Sequence, residues 1–182
     1  MTSPVISIIG GENAPLEAVE MAEVVGRELA RRGAVVVCGG GSGVMAGVCR
    51  GARSQGGHTI GIMPGHNAQE SPPNPWVEFA IYTGIGYARN SIVVLSGEAV
   101  IAIDGAYGTL SEIAYALIHN IPLVGLETWD FSYRGFDAQS IVRTNDPVEA
   151  VALALALAEK RRASLSAGQS PAVSGDNRPP GN

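Results

Sequence analysis

Three groups of residues in this chain have the types and spacing to do chemistry. The first is Gly39-Gly40-Gly41-Ser42-Gly43, set between an apolar run and an amphipathic one. Glycine admits positive φ and lets the backbone approach a ligand closely. A helix that starts there offers unpaired N–H groups and the positive end of its dipole to an anion. It is not a P-loop, because that motif needs a lysine before its Ser/Thr, and the only lysine is Lys160. The second group is Asp104-Gly105-Ala106-Tyr107-Gly108-Thr109, with Glu112 three residues on. Here Gly108 and Thr109 stand at an expected helix start and repeat the anion-binding logic. Glu112 reads either as a site carboxylate or as the capping-box partner of Thr109. The third is Arg89-Asn90, where an arginine can grip a phosphate with two donors or pair with Glu112. Gly10-Gly11, at the end of the first apolar run, completes the candidate ligand-binding residues. Asp104 stands apart, since a carboxylate beside an anion site repels phosphate unless ligand N–H donors meet it. A pterin or purine ring carries such donors.

These residues need elements to position them, and the hydrophobic pattern supplies them. Short apolar runs at Val5–Ile9, Ala34–Cys38, His58–Met63, Val77–Tyr82, Ala99–Ile103 and Pro122–Leu126 read as buried strands. Helical patterns lie between them at Leu16–Arg32, Val44–Gln55, Tyr87–Ser96 and from the second glycine turn through Ile118. Asp146-Pro147 reads as an N-cap with proline at the first helical position, opening a last helix to Arg162. Residues 64–76 hold four prolines and form a loop, and Glu127–Gln139 is an aromatic-rich connection. Strand and helix alternate throughout. The expected fold is therefore α/β: one doubly wound, mostly parallel sheet with helices on both faces, Rossmann-like, in a single domain over residues 1–162. Such sheets bind ligands outside the carboxyl ends of their strands, where the strand order reverses. Residues 163–182, rich in Ser, Gly, Pro and Asn, are expected to be a disordered tail.

Composition narrows the function. The chain has 182 residues, 46% of them hydrophobic, and carries a net charge of −5, so it lacks the basic surface that nucleic acid requires. No apolar run is long enough to span a membrane, and no basic lead-in marks a secretory signal. The expected setting is the cytoplasm. Cys38 and Cys49 show neither a disulfide framework nor metal-ligand spacing, and with Met45 they read as core. His66 and His119 are too isolated to be ligands.

Several spaced motifs together carry a resemblance. Gly39-Gly40-Gly41-Ser42-Gly43-Val44-Met45, the run Gly56-Gly57-His58-Thr59-Ile60-Gly61-Ile62-Met63-Pro64, Ala88-Arg89-Asn90 and Asp104 to Glu112 resemble the LOG-like Rossmann superfamily over about residues 5–126. One branch holds the "lonely guy" phosphoribohydrolases, which release the base from cytokinin nucleoside monophosphates. Their motif is Pro-Gly-Gly-x-Gly-Thr-x-x-Glu with an upstream arginine, usually Arg-Lys. Another holds molybdenum cofactor carrier proteins, which bind a pterin monophosphate without chemistry. Here Gly105, Gly108, Thr109, Glu112 and Arg89 match the hydrolase pattern. Asp104-Gly105-Ala106 replaces its opening, and Arg89 is followed by Asn90. Ala-Arg-Asn with Gly-Thr-Leu-Ser-Glu-Ile is more similar to the carrier branch.

The resemblance implies a carrier of molybdenum cofactor, or of a related phosphorylated heterocycle, as bound cargo. The two glycine loops and Arg89 would hold the phosphate, and Asp104 and the 64–76 loop would touch the ring. It also implies a homodimer or homotetramer; the apolar helix sets Val148–Ala158 and Ile113–Ile118 could pack across subunits, and a single domain would bury the same faces. The alternative is an enzyme that hydrolyses the N-glycosidic bond of purine nucleoside 5′-monophosphates, with Glu112 and Arg89 as its catalytic residues. A nucleotide-sensing module is a third reading. Neither NAD nor pyridoxal phosphate is expected, since the latter needs a Schiff-base lysine and Lys160 is badly placed.

Overall fold

The structure, a computed structural model, describes residues 2–130, 132–133, 136–137 and 141–168. Seven strands form one parallel sheet: β1 (Val5–Gly10), β2 (Val35–Cys38), β3 (Thr59–Met63), β4 (Phe79–Tyr82), β5 (Ala99–Ile103), β6 (Leu123–Leu126) and β9 (Ile141–Arg143). Their order is β4-β3-β2-β1-β5-β6-β9. Two short strands, β7 (Ser132–Tyr133) and β8 (Phe136–Asp137), pair antiparallel in the connection after β6. The helices are α1 (Leu16–Arg31), α2 (Val44–Ser54), α3 (Asn90–Ser96), α4 (Tyr107–Ile118) and α5 (Pro147–Ser166). A 3-10 turn, Gly86–Arg89, leads into α3.

The period of two along each strand sorts the core into two layers. Ile6, Ile8, Ala99, Ile101 and Ile103 face the helices α1, α2 and α5. Ile9, Val100 and Ala102 face α3 and α4. Ser7 shares that second face, and its buried hydroxyl donates to the Val93 carbonyl at 2.6 Å. The backbones of α1 and α2 touch, because a Cβ at Gly26, Gly47 or Gly51 would overlap the facing helix backbone.

The elements match those expected from the sequence except at the end of the last helix, in the β7–β8 pair and at β9. The final helix runs to Ser166, not Arg162, so the start of the expected tail is helical. The rest of that tail, 169–182, lies outside the described residues, as do Phe131 and Gln139 of the aromatic connection. β9 was not anticipated, because only Ile141 of its three residues is buried and no apolar run announces it. In the apolar helix sets 148–158 and 113–118, Ile113, Ala116, Ala150, Val151, Ala154 and Ala158 are buried within the chain, while Val148 and Ile118 stay exposed. Asp146 caps α5 as expected, accepting from the Val148 amide at 2.8 Å.

The chain adds β2, β3 and β4 to one side of β1, then crosses to place β5 on the other side. The strand order therefore reverses at β1, and Gly10 pairs with Ile103 where the two strands end.

Candidate functional site

A cavity of about 510 Å³ opens at that reversal. Its floor is Ile8, Ile9 and Gly10, and its walls are the turn after β1, the start of β5–α4 and the turn before α3. Gly10 has no room for a side chain, since a Cβ would come within 2.5 Å of the Ile103 carbonyl oxygen and of Val44.

The anion-binding features meet in this cavity. α4 begins at Tyr107 with Ala106 as its N-cap and no side-chain cap. Its first amides therefore have no partner within the helix, and Gly108 and Thr109 line the cavity. The Arg89 guanidinium lies over Gly39, where a Cβ would stand 2.7 Å from Nη2. That close approach, rather than a turn conformation, explains the glycine at 39. Arg89 Nε is buried without a hydrogen-bond partner among the described residues. Asn90, 4% exposed, donates to the Ser111 hydroxyl at 3.0 Å and to the Gly108 carbonyl at 3.4 Å. It ties the start of α3 to the first turn of α4 and so fixes Arg89 relative to the α4 amides.

Glu112 does not cap α4, because it lies six positions past Ala106, where no capping box can form. Its carboxyl is 8% exposed and 3.8 Å from Arg89 Nη1. Burial pushes its pKa up to about 8, with Arg89 acting in the opposite direction. At neutral pH this carboxyl holds its proton.

The lining also holds two further acidic residues, Asp104 and Glu12. Asp104 Oδ2 sits against Gly11, 3.2 Å from where a Cβ would be. Glu12 and Asn13 follow along the same turn, with Tyr87, 86% exposed, at the mouth. Trp129 Nε1 donates to the Ala106 carbonyl at 3.2 Å, and its ring stacks on Tyr107 with centroids 6.1 Å apart.

Of the residues singled out from sequence, Gly10, Gly11, Gly39, Arg89, Asn90, Asp104, Gly105, Ala106, Gly108, Thr109 and Glu112 line the cavity. Gly40, Gly41, Ser42, Gly43 and Tyr107 do not. Gly40 packs against Met63, and Gly43 packs on the Gly11 and Glu12 carbonyls. The first amide of α2, Val44 N–H, donates to the Gly11 carbonyl at 3.0 Å, so the α2 terminus is partly occupied by the chain itself. Ser42 donates to the Glu12 carbonyl at 3.2 Å. Nor does the 64–76 loop line the cavity. Instead its Asn74 donates to the Gly41 carbonyl at 2.9 Å and to the Gly40 carbonyl at 3.2 Å, bracing the glycine turn from behind. Glu12, Asn13, Pro15, Met45 and Tyr87 were missed. The signal that finds the first three is topological: residues after β1 must line a crevice that opens where β1 ends. Among the described residues, no three His, Cys, Asp or Glu side chains gather as a metal site, and no helix is long and apolar enough to cross a membrane.

The sequence profile of the SLOG cluster4 family matches residues 3–160. The chain belongs to the SLOG cluster4 family. Its backbone is similar to that of the molybdenum cofactor binding protein from the phototrophic bacterium Rippkaea orientalis, with a TM-score of 0.79 and 33% identity over 86% of this chain and 98% of that one. It is also similar to the molybdenum cofactor carrier protein of Chlamydomonas reinhardtii, with a TM-score of 0.75, 30% identity and the same coverage. The cytokinin riboside 5′-monophosphate phosphoribohydrolase of Mycobacterium tuberculosis is 31% identical over 120 residues, which are 62% of this chain and 64% of that enzyme. The chain thus spans less than two thirds of that enzyme's length. Both branches of the resemblance read from the motifs are present among the relatives, and the Rossmann-like fold is shared with the solved structures.

Proposed function

We propose that this protein binds and carries molybdenum cofactor, a pterin monophosphate, or a closely related phosphorylated heterocycle. The observation that carries this reading is the cavity at the β1/β5 reversal, whose lining brings both kinds of group together. Free α4 amides and the Arg89 guanidinium suit a phosphate. Asp104 and Glu12 suit the N–H donors of a heterocyclic ring. The likeness to two molybdenum cofactor proteins over 86% of the chain supports the same ligand.

The second reading, hydrolysis of purine nucleoside 5′-monophosphates, is favoured by the pairing of Glu112 with Arg89 and by the phosphoribohydrolase relative. Against it stands the state of Glu112. A carboxyl neutral at pH 7 does not stabilise the positive charge that develops on the sugar, and a bound phosphate nearby raises its pKa further. A chromatographic assay for free base separates the two. The carrier reading expects no base from AMP or an N6-modified AMP even at high protein concentration. Release that disappears in Glu112→Gln would establish the hydrolase.

The same reading places the protein in the cytoplasm as a homodimer or homotetramer. The free Cys38 and Cys49 thiols, 3.5 Å apart, suit a reducing compartment. Exposed apolar side chains on β4 (Phe79, Ile81) and α3 (Ile92, Leu95) suit a subunit contact. Equilibrium sedimentation that finds only monomer would exclude the assembly.

A further inference from the structure

Asp104 is held in an unusual way. Its φ is +51°, a region that side-chain-bearing residues rarely adopt. Both sides of its backbone are fixed there: the amide donates to the Leu126 carbonyl at 3.1 Å, and the carbonyl accepts the Thr128 hydroxyl at 2.7 Å. A backbone outlier over-determined by its neighbours, in a cavity wall, points to a function for the side chain it aims. That side chain is a carboxylate with no hydrogen-bond or ion-pair partner among the described residues. Arg89 does not neutralise it, because the carboxylate within 4.0 Å of Arg89 is Glu112.

An ionised carboxylate only accepts hydrogen bonds, and its two oxygens match two adjacent donors. Heterocycles differ sharply in what they offer it. A 2-amino-4-oxopyrimidine edge, shared by guanine and pterin, presents a ring N–H beside an amino group. Adenine presents a ring lone pair beside its amino group, so one carboxylate oxygen would face another acceptor. Resting on the phosphate-binding reading above, we infer that Asp104 is the specificity-determining residue of this cavity and selects 2-amino-4-oxo heterocycles over adenine-type rings. A charge-assisted pair of this kind gives about tenfold to hundredfold discrimination.

The test is a calorimetric titration of the full chain with GMP, AMP and a pterin monophosphate, repeated on Asp104→Asn and Arg89→Ala. Asparagine tolerates positive φ, so Asp104→Asn keeps the backbone. It also exchanges an acceptor for a donor, which complements adenine. The wild type is expected to bind GMP or the pterin at least tenfold more tightly than AMP. Asp104→Asn is expected to level or reverse that order, an effect that mere destabilisation would not produce. Preference for the pterin over GMP, or the converse, supports the inference and names the source of the ring. Equal affinity for GMP and AMP in the wild type, or an unchanged ratio in Asp104→Asn, overturns it. If Arg89→Ala still weakens every ligand in that case, only the ring assignment has failed. If Arg89→Ala changes nothing, the phosphate-binding reading has failed as well.

Discussion

Arg89 and Glu112 face each other across 3.8 Å at the wall of the cavity, both largely shielded from water, without forming a hydrogen bond. The guanidinium is thereby left with donors to spare, and burial keeps the carboxyl protonated up to about pH 8. A buried arginine whose nearest acid is neutral is available to an external anion.

Ligand affinity should therefore depend on pH through Glu112. Above about pH 8 the carboxyl ionises and competes with phosphate for Arg89. Binding of a monophosphate is expected to weaken between pH 7 and pH 9 in the wild type and to stay level in Glu112→Gln. Calorimetric titration across that range checks it.

The same group should shape stability. Its folded pKa, about 8, lies above the ordinary value of 4.5, so the folded state binds the proton more tightly than the unfolded one. Its contribution is fully present below about pH 4.5 and is lost as pH rises to about 8. Glu112→Gln is expected to remove that decline and to exceed the wild type in stability at pH 8, by on the order of a few kcal/mol at most. Urea unfolding at several pH values measures it.

Arg89→Ala is expected to weaken phosphate-bearing ligands about tenfold to hundredfold. Arg89→Lys should recover little of that, since an ammonium lacks the planar fork and cannot lie flat over Gly39 in the same way. Titration with inorganic phosphate and with GMP reads both variants.

Asn74→Ala should act indirectly. It removes two hydrogen bonds to the Gly40 and Gly41 carbonyls behind the cavity. A loss of about 1–2 kcal/mol in stability is expected, with a smaller effect on binding than Arg89→Ala. Thermal unfolding with a parallel titration separates the two.

Much of this was legible in the residues. Glycine-ended apolar runs marked β1, β2 and β5, and Asp146-Pro147 marked the start of α5, because each is a local signal with a local cause. Arg89, Asp104 and Glu112 were legible as site residues because polar groups at strand ends and helix starts have few other uses. What failed was long-range. Gly40 to Gly43 looked like an anion cradle, but Met63, Gly11 and Asn74 fill that space, and all three come from other elements. Glu12 and Tyr87 carry no motif and enter the site through topology alone. Glu112 resembled a cap until the helix start at Tyr107 removed the spacing.

Cofactor carriage is decided by titrating the purified protein with molybdenum cofactor under anaerobic conditions and measuring bound cofactor at equilibrium. Saturable binding of one cofactor per chain, weakened at least tenfold in Arg89→Ala, is the expected result. Absence of saturable binding, or binding that Arg89→Ala leaves unchanged, would contradict it.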